Sequence, residues 1–273
     1  MKGQIVKIIS DTHVVSLNNI NYNCKCRGIF RKNKILPLVG DYVLFDKDKL
    51  IIEEILPRKN YFSRPKVANI DQVFIVTSLK QPDFSLNLLD RFITLMQLHN
   101  IAIIICLTKE DLLASSTYNK ELIYYKNLGY KVISNRNLDE IKALLKNKTS
   151  VFTGQTGAGK STLLNKLDSN LNLETDEISL ALGRGKHTTR VVELFTILGG
   201  KLLDTPGFSA LDFNSYSKEE IRDAFIEFNK YKCPYKDCMH LKEDKCSVKE
   251  ALNCGEILPS RYNSYVKIIN ERR

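Results

Sequence analysis

Residues 154 to 161 read GQTGAGKS, with Gly154 and Gly159 enclosing four residues and Lys160-Ser161 directly after them. Glycines at this spacing let successive backbone N–H groups curl around phosphate oxygens. Lys160 then reaches the β- and γ-oxygens, and the Ser161 hydroxyl offers a hard oxygen to Mg²⁺. The whole stretch Gly154, Gln155, Thr156, Gly157, Ala158, Gly159, Lys160, Ser161, Thr162 is therefore assigned to nucleotide binding. Downstream, Leu203-Asp204-Thr205-Pro206-Gly207 closes an apolar run. There Asp204 suits Mg²⁺ and the Gly207 N–H suits the γ-phosphate.

Thr108-Lys109-Glu110-Asp111 selects the base. A carboxylate accepts the N1 and N2 protons of guanine together, and adenine offers no such pair, so Asp111 favours GTP over ATP. Lys109 is expected along the base plane. Thr108 stands where the usual motif has Asn, the residue that bridges to the phosphate loop. Ser134, followed by Asn135, fits a second base-side loop. Read alone, TKED is an ordinary strand-to-helix turn; its agreement with the other two motifs gives it chemical meaning.

Between the phosphate loop and DTPG lies GRGKHTTR, residues 183 to 190. Thr189 is the choice for a second Mg²⁺ ligand and γ-phosphate sensor, with Thr188 beside it. Phe208 occupies the position where many GTPases keep a water-orienting Gln. Phe cannot orient water, so His187 or a group from the partner is expected to do so, and intrinsic hydrolysis is expected to be slow. An unchanged partner-stimulated rate in His187→Ala would exclude His187.

A last constellation, CPYKDCMHLKEDKC, spaces Cys233, Cys238, His240 and Cys246 as Cys-x4-Cys-x-His-x5-Cys. Three thiolates and an imidazole complete a closed tetrahedral Zn²⁺ site, whereas catalytic zinc keeps one position open. The alternative keeps His240 on the surface and takes Cys254 as fourth ligand. Four of the chain's seven cysteines fall between Cys233 and Cys254. The odd total and the absence of an export signal argue against a disulfide framework. Cys24 and Cys26 read as packed strand residues.

The elements that position these groups follow from pattern. Residues 1–65 alternate short strands with polar turns, as a five-stranded barrel of the OB type does; an SH3-like barrel would read much the same. Gly40 sits at a turn that suits positive φ. Residues 66–213 alternate apolar strand runs with helical stretches, which argues an α/β domain with a parallel sheet. Residues 214–273 place the cysteines between helices opened by Ser217-x-x-Glu220 and Ser247-x-x-Glu250, both matching a capping box. A nucleotide sheet gathers its loops at the carboxyl ends of its strands, whichever strand comes first, so base reader before phosphate loop is the order of a circularly permuted GTPase.

With 41 Lys and Arg against 31 Asp and Glu, the chain carries +10. Residues 1–66 alone hold 13 basic and 6 acidic side chains, so a polyanionic partner is expected at the barrel. No apolar run reaches the ~18 residues of a membrane span. The start lacks a secretory signal, and a cytoplasmic protein is expected.

Taken together, these residues resemble the small ribosomal subunit biogenesis GTPase family RsgA (YjeQ/YloQ). The likeness covers VGD at 39–41, LPRKNYFSRPKVANIDQV at 56–73, TKED, GQTGAGKSTLLN, GKHTTR, DTPGF and the cysteine pattern. It implies an OB domain, a permuted GTPase and a zinc domain, with GTP hydrolysis stimulated by the small ribosomal subunit in late maturation. It also implies rRNA contacts from the outer domains, and a monomer is expected. Thr108 and Thr156 depart from the family's common residues; the first bears on nucleotide affinity. Two rival readings are an RNA-binding scaffold with a relic nucleotide site and a P-loop kinase.

Overall fold

The computed structural model describes residues 1–32, 35–63, 65–112, 118–171, 192–204 and 211–271. Strands β1 (Lys2–Ile9), β2 (Thr12–Leu17) and β3 (Ile20–Cys26) lead into helix α1 (Gly28–Lys32), then β4 (Tyr42–Asp46) and β5 (Ile51–Ile55). A short hairpin, β6 (Tyr61–Phe62) and β7 (Val67–Ala68), precedes β8 (Gln72–Ser78), α2 (Leu86–Leu98), β9 (Ala102–Thr108), α3 (Asn119–Asn127), β10 (Lys131–Ser134), α4 (Leu138–Leu145) and β11 (Thr149–Gly154). Helix α5 (Lys160–Leu167), β12 (Glu193–Ile197), β13 (Gly200–Asp204), α6 (Lys218–Asp223), α7 (Ser247–Asn253) and α8 (Pro259–Glu271) complete the chain. No helix among the described residues is long and apolar enough to cross a membrane.

The chain packs as two compact units. One comprises Met1–Val73, Arg136–Thr153 and Lys160–Ser209; the other comprises Phe74–Asn135, Gly154–Gly159 and Ala210–Arg273.

In the first unit the barrel closes as β1-β2-β3-β5-β4-β1, antiparallel at every seam except the parallel β3–β5 pair. That seam separates the OB topology from the other small barrel that reads alike in sequence. Ile5, Val15, Cys24, Val43, Phe45 and Ile52 fill the interior, and α1 contributes Phe30. Cys26 packs against this cluster, as expected for strand residues. Gly40, at φ +97°, lies so close to Ala68 that a Cβ would stand 2.0 Å from its carbonyl oxygen. Next to it, Asp41 receives Arg58 through two bonds of 2.7 and 2.8 Å, which fixes the segment leaving the barrel. Beyond the barrel, β11 pairs parallel with β13, β13 pairs antiparallel with β12, and β12 pairs antiparallel with β1.

The second unit contains β8, β9 and β10, with β9 and β10 parallel and in register from Ile104↔Lys131 to Leu107↔Ser134. Strand β8 is buried along its whole length, as a continuous apolar run predicts. Helices α2, α3 and α8 share a buried polar cluster. Arg261 Nη1 donates to Asp90 Oδ1 at 2.9 Å, its Nε donates to Glu227 Oε1 at 2.7 Å, and Tyr125 Oη donates to Asp90 Oδ1 at 2.6 Å. Arg261 also lies over the Phe225 ring, 4.3 Å from its centroid. Two carboxylates thus share one guanidinium, and burial pushes the Asp90 carboxyl above its ordinary range against the pull of Arg261. Removing one partner of a buried ion pair leaves uncompensated charge and costs about 3–5 kcal/mol. Arg261→Met is therefore expected to lower the unfolding free energy of the full chain by that amount, read as a lower urea midpoint. Adding Asp90→Asn and Glu227→Gln should recover part of the loss, and an unchanged midpoint in the single variant would contradict this account.

One sequence expectation fails here. Ser217 and Glu220 form the capping box, with bonds of 3.0 and 2.6 Å. Ser247 does not form one: Cys246 is the N-cap of α7, without a side-chain cap bond, and the Ser247 hydroxyl instead donates to the Lys232 carbonyl at 2.9 Å. The helix begins one residue too early for Ser247 to cap it.

Candidate nucleotide site and candidate metal centre

β9 ends at Thr108, and a short 3-10 turn, Glu110–Leu112, carries Asp111 to the surface. Between them Lys109 adopts φ +57°, turning the chain sharply at the strand's carboxyl end. Its Nζ donates to the Gly157 carbonyl at 3.0 Å and also to the Gln81 carbonyl. Thr108 is buried and its Oγ1 donates to the Ala158 carbonyl at 2.6 Å. The base-reading segment and the phosphate loop are thus stitched together twice, by adjacent residues. Thr108 makes the bridge that Asn makes in the usual motif, with one donor in place of two.

Thr108→Val keeps the shape and removes that donor, leaving the Ala158 carbonyl unsatisfied. A lost buried bond of this kind is worth about 1–1.5 kcal/mol, so affinity for a fluorescent GDP should fall roughly tenfold. Preference for GTP over ATP should persist, because Asp111 is untouched; an unchanged affinity would remove Thr108 from the site.

Ser134 lies beside this segment because β10 runs parallel to β9 in register: its Oγ donates to Glu110 Oε2, and Asn135 N donates to the Leu107 carbonyl at 2.8 Å. Gln81 was not foreseen from sequence, and the signal was absent: it contributes a backbone carbonyl, which any residue supplies. Pro82 approaches the same loop, since a Cβ on Gly157 would lie 3.6 Å from its Cδ.

The loop leaves β11 at Gly154, where φ is +137° and a Cβ would meet the Val76 carbonyl oxygen at 2.0 Å. No other residue fits there. Gln155, Thr156 and Gly157 follow, Ala158 is buried, and Gly159 takes φ +91° before the chain enters α5 at Lys160. Lys160 and Ser161 are both buried at the start of that helix. Burial pulls the Lys160 amine from 10.5 down to about 8. An adjacent phosphate favours the charged amine and offsets that penalty. Thr162 is exposed on the same turn. Asp204 is the last residue of β13. His187, Thr188, Thr189, Gly207 and Phe208 lie outside the described residues.

In the second unit, Cys233, Cys238, His240 and Cys246 bring their ligand atoms within 4.8 Å of one another. A tetrahedral Zn²⁺ with Zn–S of ~2.3 Å and Zn–N of ~2.05 Å has S–S edges near ~3.8 Å and S–N edges near ~3.5 Å. Cys233 Sγ to Cys246 Sγ is 3.8 Å, and His240 Nδ1 lies 3.5 and 3.3 Å from those two sulfurs. The donor set and its spacing therefore fit a closed four-ligand metal site. His240 is buried, with φ +58°, an edge-on Phe228 ring at 5.4 Å, and its carbonyl accepting from Tyr262 Oη at 2.5 Å. Cys254 is exposed at the far end of α7 and outside the cluster, so the reading that swaps it for His240 is set aside.

Comparison with known proteins gives the same answer from three directions. The family model described as RsgA GTPase matches residues 55–214, and the RsgA N-terminal domain matches residues 2–50. Small ribosomal subunit biogenesis GTPase RsgA 2 of Oceanobacillus iheyensis is 47% identical, covering 99% of this chain and 97% of that protein. The Staphylococcus aureus protein named Small ribosomal subunit biogenesis GTPase RsgA is 43% identical, over 98% and 96%. Among solved structures, YjeQ from Thermotoga maritima superposes with a TM-score of 0.84 at 33% identity, over 100% of this chain and 99% of that one. YloQ, described as a circularly permuted GTPase, gives 0.83 at 38%, over 99% and 94%.

Proposed function

The chain belongs to the RsgA GTPase family, and from that premise we propose that it hydrolyses GTP to GDP and phosphate on the small ribosomal subunit, late in that subunit's maturation. The observation that carries the reading is the double tie from Thr108 and Lys109 to the phosphate loop, which leaves the neighbouring Asp111 to read the base. Asp111 pairs with guanine, Lys109 backs the base plane, and Glu110 and Ser134 support the base-side rim. Residues Gly154 to Thr162 enclose the phosphates.

Ser161, Asp204 and Thr189 are oxygen donors, which suits Mg²⁺, and these three would hold it. Bound there, the ion would neutralise charge between the β- and γ-phosphates. Water attacks the γ-phosphorus in line, the bond to the β,γ-bridging oxygen breaks, and GDP leaves while phosphate takes up the water's proton. Lys160 stabilises charge on the transferring group, and the Gly207 N–H points the γ-phosphate. With Phe208 unable to orient water, His187 or a group of the subunit does so. In the zinc reading, Cys233, Cys238, His240 and Cys246 hold one structural Zn²⁺.

Binding of rRNA is supported by the excess of basic over acidic side chains in residues 1–66. On the barrel, Lys2 lies over the exposed Tyr42 ring at 5.1 Å. Cations set beside exposed aromatic faces suit phosphates and unstacked bases. The protein then works as a monomer in the cytoplasm, where its partner is. GTP and ATP turnover, each measured with and without purified small subunits, tests the proposal. GTP alone should turn over, slowly unless subunits are present. Equal use of ATP would return the kinase reading, and no turnover with subunits would return the scaffold reading.

A further inference from the structure

Within the first unit, the strand pair ending at Asp204 is fastened to the barrel by charge as well as by backbone. Glu193 and Asp204 are cross-strand partners in the β12–β13 hairpin, and the other edge of β12 pairs with β1 so that Glu193 stands opposite Lys7. Lys7, Glu193 and Asp204 therefore occupy one row across three neighbouring strands. Lys7 Nζ lies 2.5 Å from Glu193 Oε2, with side chains only 10% and 24% exposed.

A second tie joins the same partners: Lys201 of β13 donates to Gln4 Oε1 of β1, and Gln4 Nε2 donates to the Gly40 carbonyl at 3.0 Å. Strand β1 meets all these demands through a bulge between Ile5 and Lys7. A bulge bends a strand and re-aims its side chains. Before it, Lys2, Gly3 and Gln4 pair with β4; after it, Lys7 pairs with β12.

Lys7 gives the largely buried Glu193 carboxylate its cation. Without it, a largely buried carboxylate has lost its cation and β12 has lost a lock on its register.

We propose that Lys7 and Glu193 are positioning residues through which the barrel holds the Asp204 strand pair, so that a change of nucleotide at Asp204 reaches strand β1. This rests on the Mg²⁺–GTP role given to Asp204 above. Hydrogen-bonded strands shift together, and an ion pair between two of them passes displacement with little slack.

Hydrogen exchange of the full chain tests it, with GDP or a non-hydrolysable GTP analogue bound and occupancy followed by methylanthraniloyl fluorescence. Amides of residues 5–9 should exchange at rates differing by about threefold or more between the two states. Lys7→Met should still bind nucleotide but lose that difference, and Lys7→Glu combined with Glu193→Lys should restore it. A wild-type β1 indifferent to bound nucleotide overturns the proposal without any variant. So does a Lys7→Met protein that keeps the full difference, or a charge swap that fails to restore it. Failure to bind the fluorescent nucleotide at all overturns the GTP reading and the coupling with it, and fluorescence tells that case from the others.

Discussion

Lys160→Met is expected to lower subunit-stimulated GTP turnover by about 10²–10³-fold, the usual cost of deleting one charge-stabilising donor. The substitution keeps an unbranched chain of similar length in a buried position at the start of α5, so loss of packing should not confuse the result. Burial already holds the Lys160 amine at about 8, which makes the charge costly unless an anion sits beside it. Removing the amine should diminish the rise in melting temperature that GTP produces, since less binding energy is available to stabilise the fold. A variant that hydrolyses GTP within about threefold of the parent would show that the phosphate-loop lysine has another role.

Cys246→Ser is expected to empty the metal centre. Its sulfur lies 3.3 Å from His240 Nδ1 and 3.8 Å from Cys233 Sγ, so it closes two edges of the ligand tetrahedron. Structural zinc contributes on the order of 10 kcal/mol of apparent binding free energy, and little of that survives the loss of a thiolate. Elemental analysis should find one zinc per parent chain and almost none in the variant, with faster amide exchange across residues 233–253. Cys254→Ser is the control: exposed and outside the cluster, it should keep full metal content. Parent protein purified without metal, or metal lost on changing Cys254, would contradict the assignment.

How much was legible in advance depended on the kind of signal each element carries. The barrel strands announce themselves by apolar runs between polar turns, yet only the parallel β3–β5 seam fixes the topology, and pairing is not written in either strand alone. Helix α1, five residues long, is too short to show a helical period, although its Phe30 fills the barrel. Strand β12 passed unnoticed for a related reason: ELFTI is brief, follows a polar basic stretch, and owes its place to pairing with β13 and β1.

At the site, motif spacing singled out residues 154–162, residues 108–111 and the cysteine pattern, because each motif demands particular side chains at fixed intervals, and the structure brings the first two into contact and clusters the third. What spacing could not reveal was how Thr108 would act in the place of Asn: its hydroxyl donates to the Ala158 carbonyl at 2.6 Å. Nor could it reveal Gln81, whose contribution is a main-chain oxygen. Ser247 shows the converse, a sequence signature whose side chain was taken by the Lys232 carbonyl.

The central claim is that motifs in reversed order assemble a guanine site read by Asp111. Asp111→Asn tests it most directly, since it converts one acceptor carboxylate into an acceptor–donor pair at the same position. Guanine then loses its bidentate partner, while xanthine, with a carbonyl in place of the 2-amino group, gains one. Turnover of GTP and xanthosine triphosphate should be compared in parent and variant with small subunits present. The account predicts a parent that strongly prefers GTP and a variant whose preference is reversed, with GTP use down by about 10²-fold or more. A variant that keeps the parent's preference for GTP would contradict it.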